Sequence, residues 1–239
     1  DLTVSHATTG TTMPHVNLDS LDLAALLCSR VCHDVISPVG AIVNGLELLD
    51  EEKDPAMREE ALGLIKRSAA TASAKLQFCR IAFGAAGSAG AAIDTGDAEQ
   101  VARNLLQDAR TEITWNAPRL LLAKNKVKIL LNMCLIAAAS IPRGGHIEVA
   151  IEGAEEDTSL KVSVSSEKAV RVADGIGELL SGESESGSID AHGIQAYYTG
   201  LVARDCNMAV RIDGGSEGIT ISCQPGASGA IRPDSQNAA

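Results

Sequence analysis

Apolar residues recur at spacings of four and three along two successive stretches of this 239-residue chain, and nothing else in it restricts the fold as much. The first set is Leu27, Val31, Val35, Pro38, Ile42, Leu46 and Leu49. Residues three and four apart share one side of an α-helix, so this set predicts a helix with a single apolar stripe. It should start near Asp19 or Ser20, both good caps, and run to about Asp50. The turn Glu51-Glu52-Lys53-Asp54-Pro55 follows, with Asp54 as the next cap and Pro55 suited to a first helical position. The second helix runs to about Phe83 with the stripe Met57, Ala61, Ile65, Ala69, Ala72, Leu76, Cys79 and Phe83. Two long helices joined by a short turn make an antiparallel hairpin. One hairpin cannot bury both stripes well. Two hairpins paired into a four-helix bundle can, so a homodimer is expected.

The pattern changes after Gly84–Gly90, a linker by composition. Ala98 to about Gln107 reads as a helix, Glu112–Trp115 as a short strand, and Lys126–Ile141 as a strongly apolar helix ended by Pro142-Arg143-Gly144-Gly145. His146–Ile151 and Leu160–Val164 alternate as strands. Gly182–Gly187 is polar and loop-like, Ile194 to about Cys206 is helical, and Ala209–Ile212 with Gly218–Ser222 forms a hairpin. The expected class is therefore α+β: an N-terminal helical hairpin forming a dimeric four-helix bundle, plus a C-terminal α/β sandwich. The division is a disordered segment over 1–18, the hairpin over 19–85, a linker over 86–93, the sandwich over 94–224 and a disordered tail over 225–239.

Composition removes several function classes. The net charge of −11 and the scarcity of aromatic residues (one Trp, two Tyr, two Phe) argue against nucleic-acid partners, which select basic patches and stacking rings. The six cysteines contain no CxxC pair and mostly fall within apolar periodic stretches, which reads as a reduced, cytoplasmic chain. No apolar run approaches the ~20 residues of a membrane span, so no membrane association is expected.

Within the first helix, His33 lies two residues from both Val31 and Val35, roughly 200° from each, on the side opposite the apolar stripe. An exposed imidazole is largely neutral near neutral pH, and its free ring nitrogen can attack a phosphoryl group. Phosphoryl transfer needs mostly positioning and charge neutralisation, which a rigid helix supplies. Ser29, Arg30, Ser37, Gly40 and Asn44 share the face of His33. Arg30 could contact phosphate oxygens or an acidic partner, Ser37 could donate a hydrogen bond, and Gly40 leaves room for another protein to approach. Asp34 either orients the imidazole or is a solvated helix charge. Pro38 has no N–H for the carbonyl of Asp34, so a local kink is expected. Cys28 and Cys32 sit beside His33 without a fourth ligand, which leaves no metal site. Lys66, Arg67 and Arg80 on the second helix could meet an acidic partner or form a solvated face. His146 and His192 read as surface or partly buried residues without a role, and Trp115 as core.

The His33-Asp34-x-x-x-Pro38 motif on the first helix of a hairpin resembles the dimerisation and phosphotransfer domain of sensor histidine kinases. The later segment resembles their ATP-binding domain with its nucleotide motifs removed. Asn132 matches the first asparagine of the kinase asparagine box, but Ile136 stands at the magnesium-ligand position and offers no oxygen to a hard cation. Ser165–Val170 replaces the Asp-x-Gly-x-Gly box, and His192-Gly193-Ile194-Gln195 is what remains of the second glycine box. With Leu76–Gly84 closing the hairpin, the combination is similar to the ChpT family of alphaproteobacterial histidine phosphotransferases over roughly residues 20–224. The resemblance implies a dimeric relay that binds no cofactor of its own. It implies that His33 accepts phosphate from the receiver domain of a CckA-like hybrid kinase and passes it to CtrA-like and CpdR-like regulators, with Mg²⁺ and the aspartate supplied by the receiver. Two other readings stay open at this point: a scaffold that docks receivers without carrying phosphate, and an active kinase.

Overall fold

The computed structural model describes residues 13–84, 92–153, 157–215 and 217–226. Helix α1 (Ser20–Glu51) is capped by the Asp19 carboxylate, which accepts from the backbone N–H groups of Leu21 and Asp22 at 2.8 and 2.9 Å. It runs unbroken through the buried Pro38. Helix α2 (Pro55–Ala82) follows a three-residue turn in which Arg58 Nη1 donates to the carbonyls of Leu49 and Glu52. The hairpin is as expected, but the expected stripe of α2 is buried only in part: Ala61 and Ala72 are buried, together with Ser68, Phe78, Ile81 and Ala82 from outside it, whereas Met57, Ala69 and Leu76 are exposed. At the loop end α1 and α2 approach closely at Gly45, where a Cβ would meet Ile65 Cγ1 at 2.7 Å, so the missing side chain leaves room for Ile65 of the expected stripe.

By internal contacts the chain divides into two compact units. One comprises residues up to Ala72 together with Ala173–Gly200; the other comprises Ser73–Val172 and the chain from Leu201 onward. This differs from the expected division, because the segment 173–200 joins the hairpin's unit. The same unit orders part of the N-terminal segment expected to be disordered. Val16 N–H donates to the Gly182 carbonyl at 2.9 Å, Ser184 N–H to Pro14 at 3.2 Å, and Tyr197 Oη to the Val16 carbonyl at 3.3 Å. Val16 is buried, so an apolar anchor and backbone pairing fix residues the polar composition had suggested were free. Helix α5 (Ile176–Ser181) lies in this unit and was not expected. So does the start of α6 (Ile194–Asp205). The linker residues 85–91 and the tail from 227 lie outside the described residues, and Pro225 still belongs to a strand.

The second unit carries the sheets. Strands β1 (Ala92–Asp94) and β3 (Leu121–Ala123) form a two-stranded antiparallel pair, and neither was expected. Strands β2 (Thr111–Asn116), β4 (Gly145–Glu152), β5 (Ser159–Ser165), β6 (Met208–Gly215) and β7 (Gly218–Pro225) form a five-stranded sheet in the order β2-β4-β5-β7-β6. Only β2–β4 is parallel. The register sets Val149 opposite Val162 and Val162 opposite Ile221, so alternate residues of three strands line one buried face. Helices α3 (Thr95–Leu106) and α4 (Lys124–Ser140) complete a two-layer α/β sandwich, with α4 on β5. Trp115, expected in the core, is only half-buried; Ile113 is the buried residue of β2. Burial pushes the thiols of Cys134 and Cys223 up to about 12, and none of the six cysteines is in a disulfide.

Candidate phosphoryl-acceptor site

His33 sits in the first half of α1 with its side chain 69% exposed, while Val31 and Val35 are half-buried on the opposite side. The helix therefore presents the ring to solvent, as the periodicity required. Its Nδ1 lies 3.5 Å from Asp34 Oδ1. Asp34 Oδ2 in turn accepts from Arg30 Nε at 3.0 Å, one helical turn back. Arg30 is thus engaged by the carboxylate through its Nε. Three side chains are linked in series: a guanidinium holds a carboxylate, and the carboxylate faces one nitrogen of an exposed imidazole.

The chemistry follows from the two ring nitrogens. A proton on Nδ1 is favoured where it faces a carboxylate, which leaves the lone pair on Nε2 directed away from it. Nε2 is then the nucleophile. When it forms a bond to phosphorus, the positive charge that develops on the ring is balanced by Asp34. The 3.5 Å separation is longer than a hydrogen bond, and such contacts tighten on complex formation.

Ser37 and Asn44 are exposed on the same helix, and a Cβ built at Gly40 meets nothing within 4 Å, so the surface beyond His33 is open to a partner. Lys66 and Arg67 are exposed on α2, as is Arg80 near its C-terminal end. No hydrogen bond or ion pair among the described residues joins any of the three to His33.

One neighbour was not anticipated. The ring of His192 lies 5.7 Å from that of His33, centroid to centroid, at an interplanar angle of 78°. His192 stands in the turn before α6, where Asp190 Oδ1 accepts from the backbone N–H groups of His192 and Gly193 at 2.9 and 2.8 Å. The Gly193 amide first, and the His192 amide and imidazole after it, hold the Asp190 carboxyl below its usual range. The sequence placed His192 in the remnant of a glycine box and gave no sign that this remnant meets α1. His146, by contrast, is half-buried on β4 with Nδ1 3.9 Å from Glu112 Oε2, its neighbour in the β2–β4 register.

The two residues compared with the asparagine box, Asn132 and Ile136, are both buried. Asn132 Nδ2 donates to the carbonyls of Ala82 and Lys128 at 3.1 and 2.9 Å. A cleft of about 480 Å³ beside the 190–193 turn has Asp174, Glu178, Glu185 and Asp190 in its lining and no lysine or arginine. A polyphosphate entering it would meet four carboxylates and no cationic side chain of the lining.

The model of a family described as histidine phosphotransferase C-terminal domain matches residues 95–218. The chain is 52% identical over 209 residues to the protein phosphotransferase ChpT of Brucella abortus (strain 2308), covering 87% of this chain and 98% of that protein. A solved bacterial phosphotransferase superposes with a TM-score of 0.80 at 49% identity, covering 89% of this chain and 100% of the other.

Proposed function

The chain belongs to the ChpT family of histidine phosphotransferases, and from that premise we propose that His33 takes a phosphoryl group from the receiver aspartate of a CckA-like hybrid kinase and passes it to CtrA-like and CpdR-like receivers. The observation that carries the proposal is the exposed His33 ring, with Nδ1 turned to a carboxylate that Arg30 holds. In the accepting transfer the Nε2 lone pair forms the N–P bond as the P–O bond to the receiver aspartate breaks, and the electron pair leaves on the receiver carboxylate. In the onward transfer a carboxylate oxygen of the next receiver forms the P–O bond as the N–P bond breaks, the pair returns to Nε2, and the ring proton stays on Nδ1 throughout. Mg²⁺ belongs to the receiver. Incubation with a phosphorylated receiver domain should label this chain with acid-labile phosphate. No transfer from any of the three receiver classes would return the reading to that of a docking scaffold.

This chain binds no ATP in the proposal. The commitment of Asn132 to backbone carbonyls, the buried Ile136 and the acidic cleft support that component of it. A ligand at 100 times its Kd raises folding stability by about 2.7 kcal/mol, so thermal unfolding reads binding directly. Millimolar Mg-ATP is expected to leave Tm unchanged. A rise of several degrees would make the chain a nucleotide binder and revive the kinase reading.

A homodimer completes the proposal. Ile36, Val39, Val43 and Leu46 follow one another at spacings of three and four on α1, and all are exposed. Leu62 and Ala69, seven apart on α2, are exposed as well. A second copy covering these strips builds the four-helix bundle. Val43→Asp should therefore convert a dimer into a monomer in sedimentation velocity. An unchanged sedimentation coefficient counts against this interface.

By length and composition α1 is long and apolar enough to cross a membrane, which corrects the expectation that no segment approaches that limit. Arg30 and Asp34 stand near its middle, where each charged residue costs ~2.5–3.5 kcal/mol in a bilayer. Their presence, and the exposed His33 between them, support a cytoplasmic location with the apolar strip covered by protein.

A further inference from the structure

We propose that His192 is a positioning residue for phosphoryl transfer at His33, its ring acting as a wedge that restricts rotation of the acceptor imidazole. The inference rests on the function proposed above. Its basis is the contact itself: two rings at 5.7 Å and 78°, an edge-to-face arrangement of the kind aromatic pairs prefer.

An exposed histidine has a broad, soft torsion about the bond to its ring. The flip of that torsion exchanges Nδ1 with Cδ2 and Nε2 with Cε1, which carries Nε2 to the other side of the ring axis. Asp34 restrains one edge of the ring through Nδ1, at a separation too long to fix it alone. His192 supplies a second restraint from another element. With both in place, Nε2 keeps one direction, which is what an in-line approach of phosphorus demands.

The wedge is itself held firmly. The Asp190 carboxylate caps the turn through the N–H groups of His192 and Gly193, and the Ile194 N–H donates to the Asp190 carbonyl at 3.1 Å. The turn is closely packed at Gly193, where a Cβ would crowd Leu179 Cδ1 at 3.0 Å and Ile189 Cγ2 at 3.3 Å. Directly after the turn, Ile194, Ala196 and Tyr197 are buried. The exposed ring of His192 thus stands on a capped turn anchored by a buried helix face, a rigid platform of the kind a positioning group needs.

The test compares the full-length protein with His192→Ala and His192→Phe, each loaded from phosphoramidate, a small donor that needs no docking surface, and from a phosphorylated receiver domain. Because the ring is exposed, neither substitution threatens folding, and an unchanged Tm confirms that. His192→Ala should slow loading about tenfold with both donors, with the receiver concentration for half-maximal rate unchanged. His192→Phe keeps a ring of similar shape without nitrogens and should restore most of the rate. Equal loading of wild type and His192→Ala overturns the inference and leaves the proposed function standing. Equally slow Ala and Phe variants also overturn it, because the nitrogens rather than the ring would then be required. A wild type loaded by neither donor defeats the proposed function, and this inference with it.

Discussion

His33→Ala abolishes phosphoryl acceptance and leaves the fold unchanged. The substitution removes the nucleophilic nitrogen, and neither His192 nor His146 has the setting to inherit the role. His192 has its ring beside that of His33 but lacks a carboxylate that an arginine holds against it, as Arg30 holds Asp34. His146 faces the strand residue Glu112. Stability should change by less than about 0.5 kcal/mol, because the side chain is 69% exposed and surface substitutions usually fall within that range. The measurement pairs single-turnover transfer from a phosphorylated receiver with thermal unfolding. Transfer should fall below detection while Tm holds. Retention of even a tenth of the wild-type label would place the acceptor elsewhere.

Asp34→Asn is the second large effect, and it separates orientation from mere charge. The carboxamide keeps the size of the side chain but can present an NH₂ group to Nδ1. That favours the tautomer whose proton sits on Nε2, the nitrogen that must attack. The ring charge that develops on phosphorylation also loses its counter-ion. Groups of this kind commonly contribute 10²–10⁴-fold, and a loss of about a hundredfold in the transfer rate is expected. The stability cost should be about 1 kcal/mol or less, since the Arg30–Asp34 pair is partly solvated. Stopped single-turnover reactions give the rate and calorimetry the stability. A rate within twofold of wild type would reduce Asp34 to a solvated helix charge.

The central feature of the site was legible because it depends on one helix. Periodicity alone put Val31 and Val35 on one side and His33 on the other, and Arg30 and Asp34 within one turn of it. The strands β4, β5 and β7 were legible for the same reason, since alternation over five or more residues is a local signal. What the chain hid was mostly non-local. Strands β1 and β3 are three residues each, too short to show a period, and exist through pairing with each other. Helix α5 is six residues between Gly175 and Gly182, both at positive φ, and reads as loop composition. The packing of α2 buries Ser68 and Phe78 and leaves Leu76 exposed, which an apolar period within α2 does not report. The anchoring of Val16 and the approach of His192 to His33 each join segments more than a hundred residues apart, and single-sequence periodicity carries no such information.

The most direct test is to locate the phosphoryl group chemically. The full-length protein is labelled by a phosphorylated receiver domain, and in a parallel sample by Mg-ATP alone. Both are then mapped by mass spectrometry under conditions that preserve phosphoramidates. A single acid-labile modification on His33 from the receiver, with none from ATP, is the predicted result. Label on another residue, or on His33 from ATP alone, would contradict a histidine relay without kinase activity.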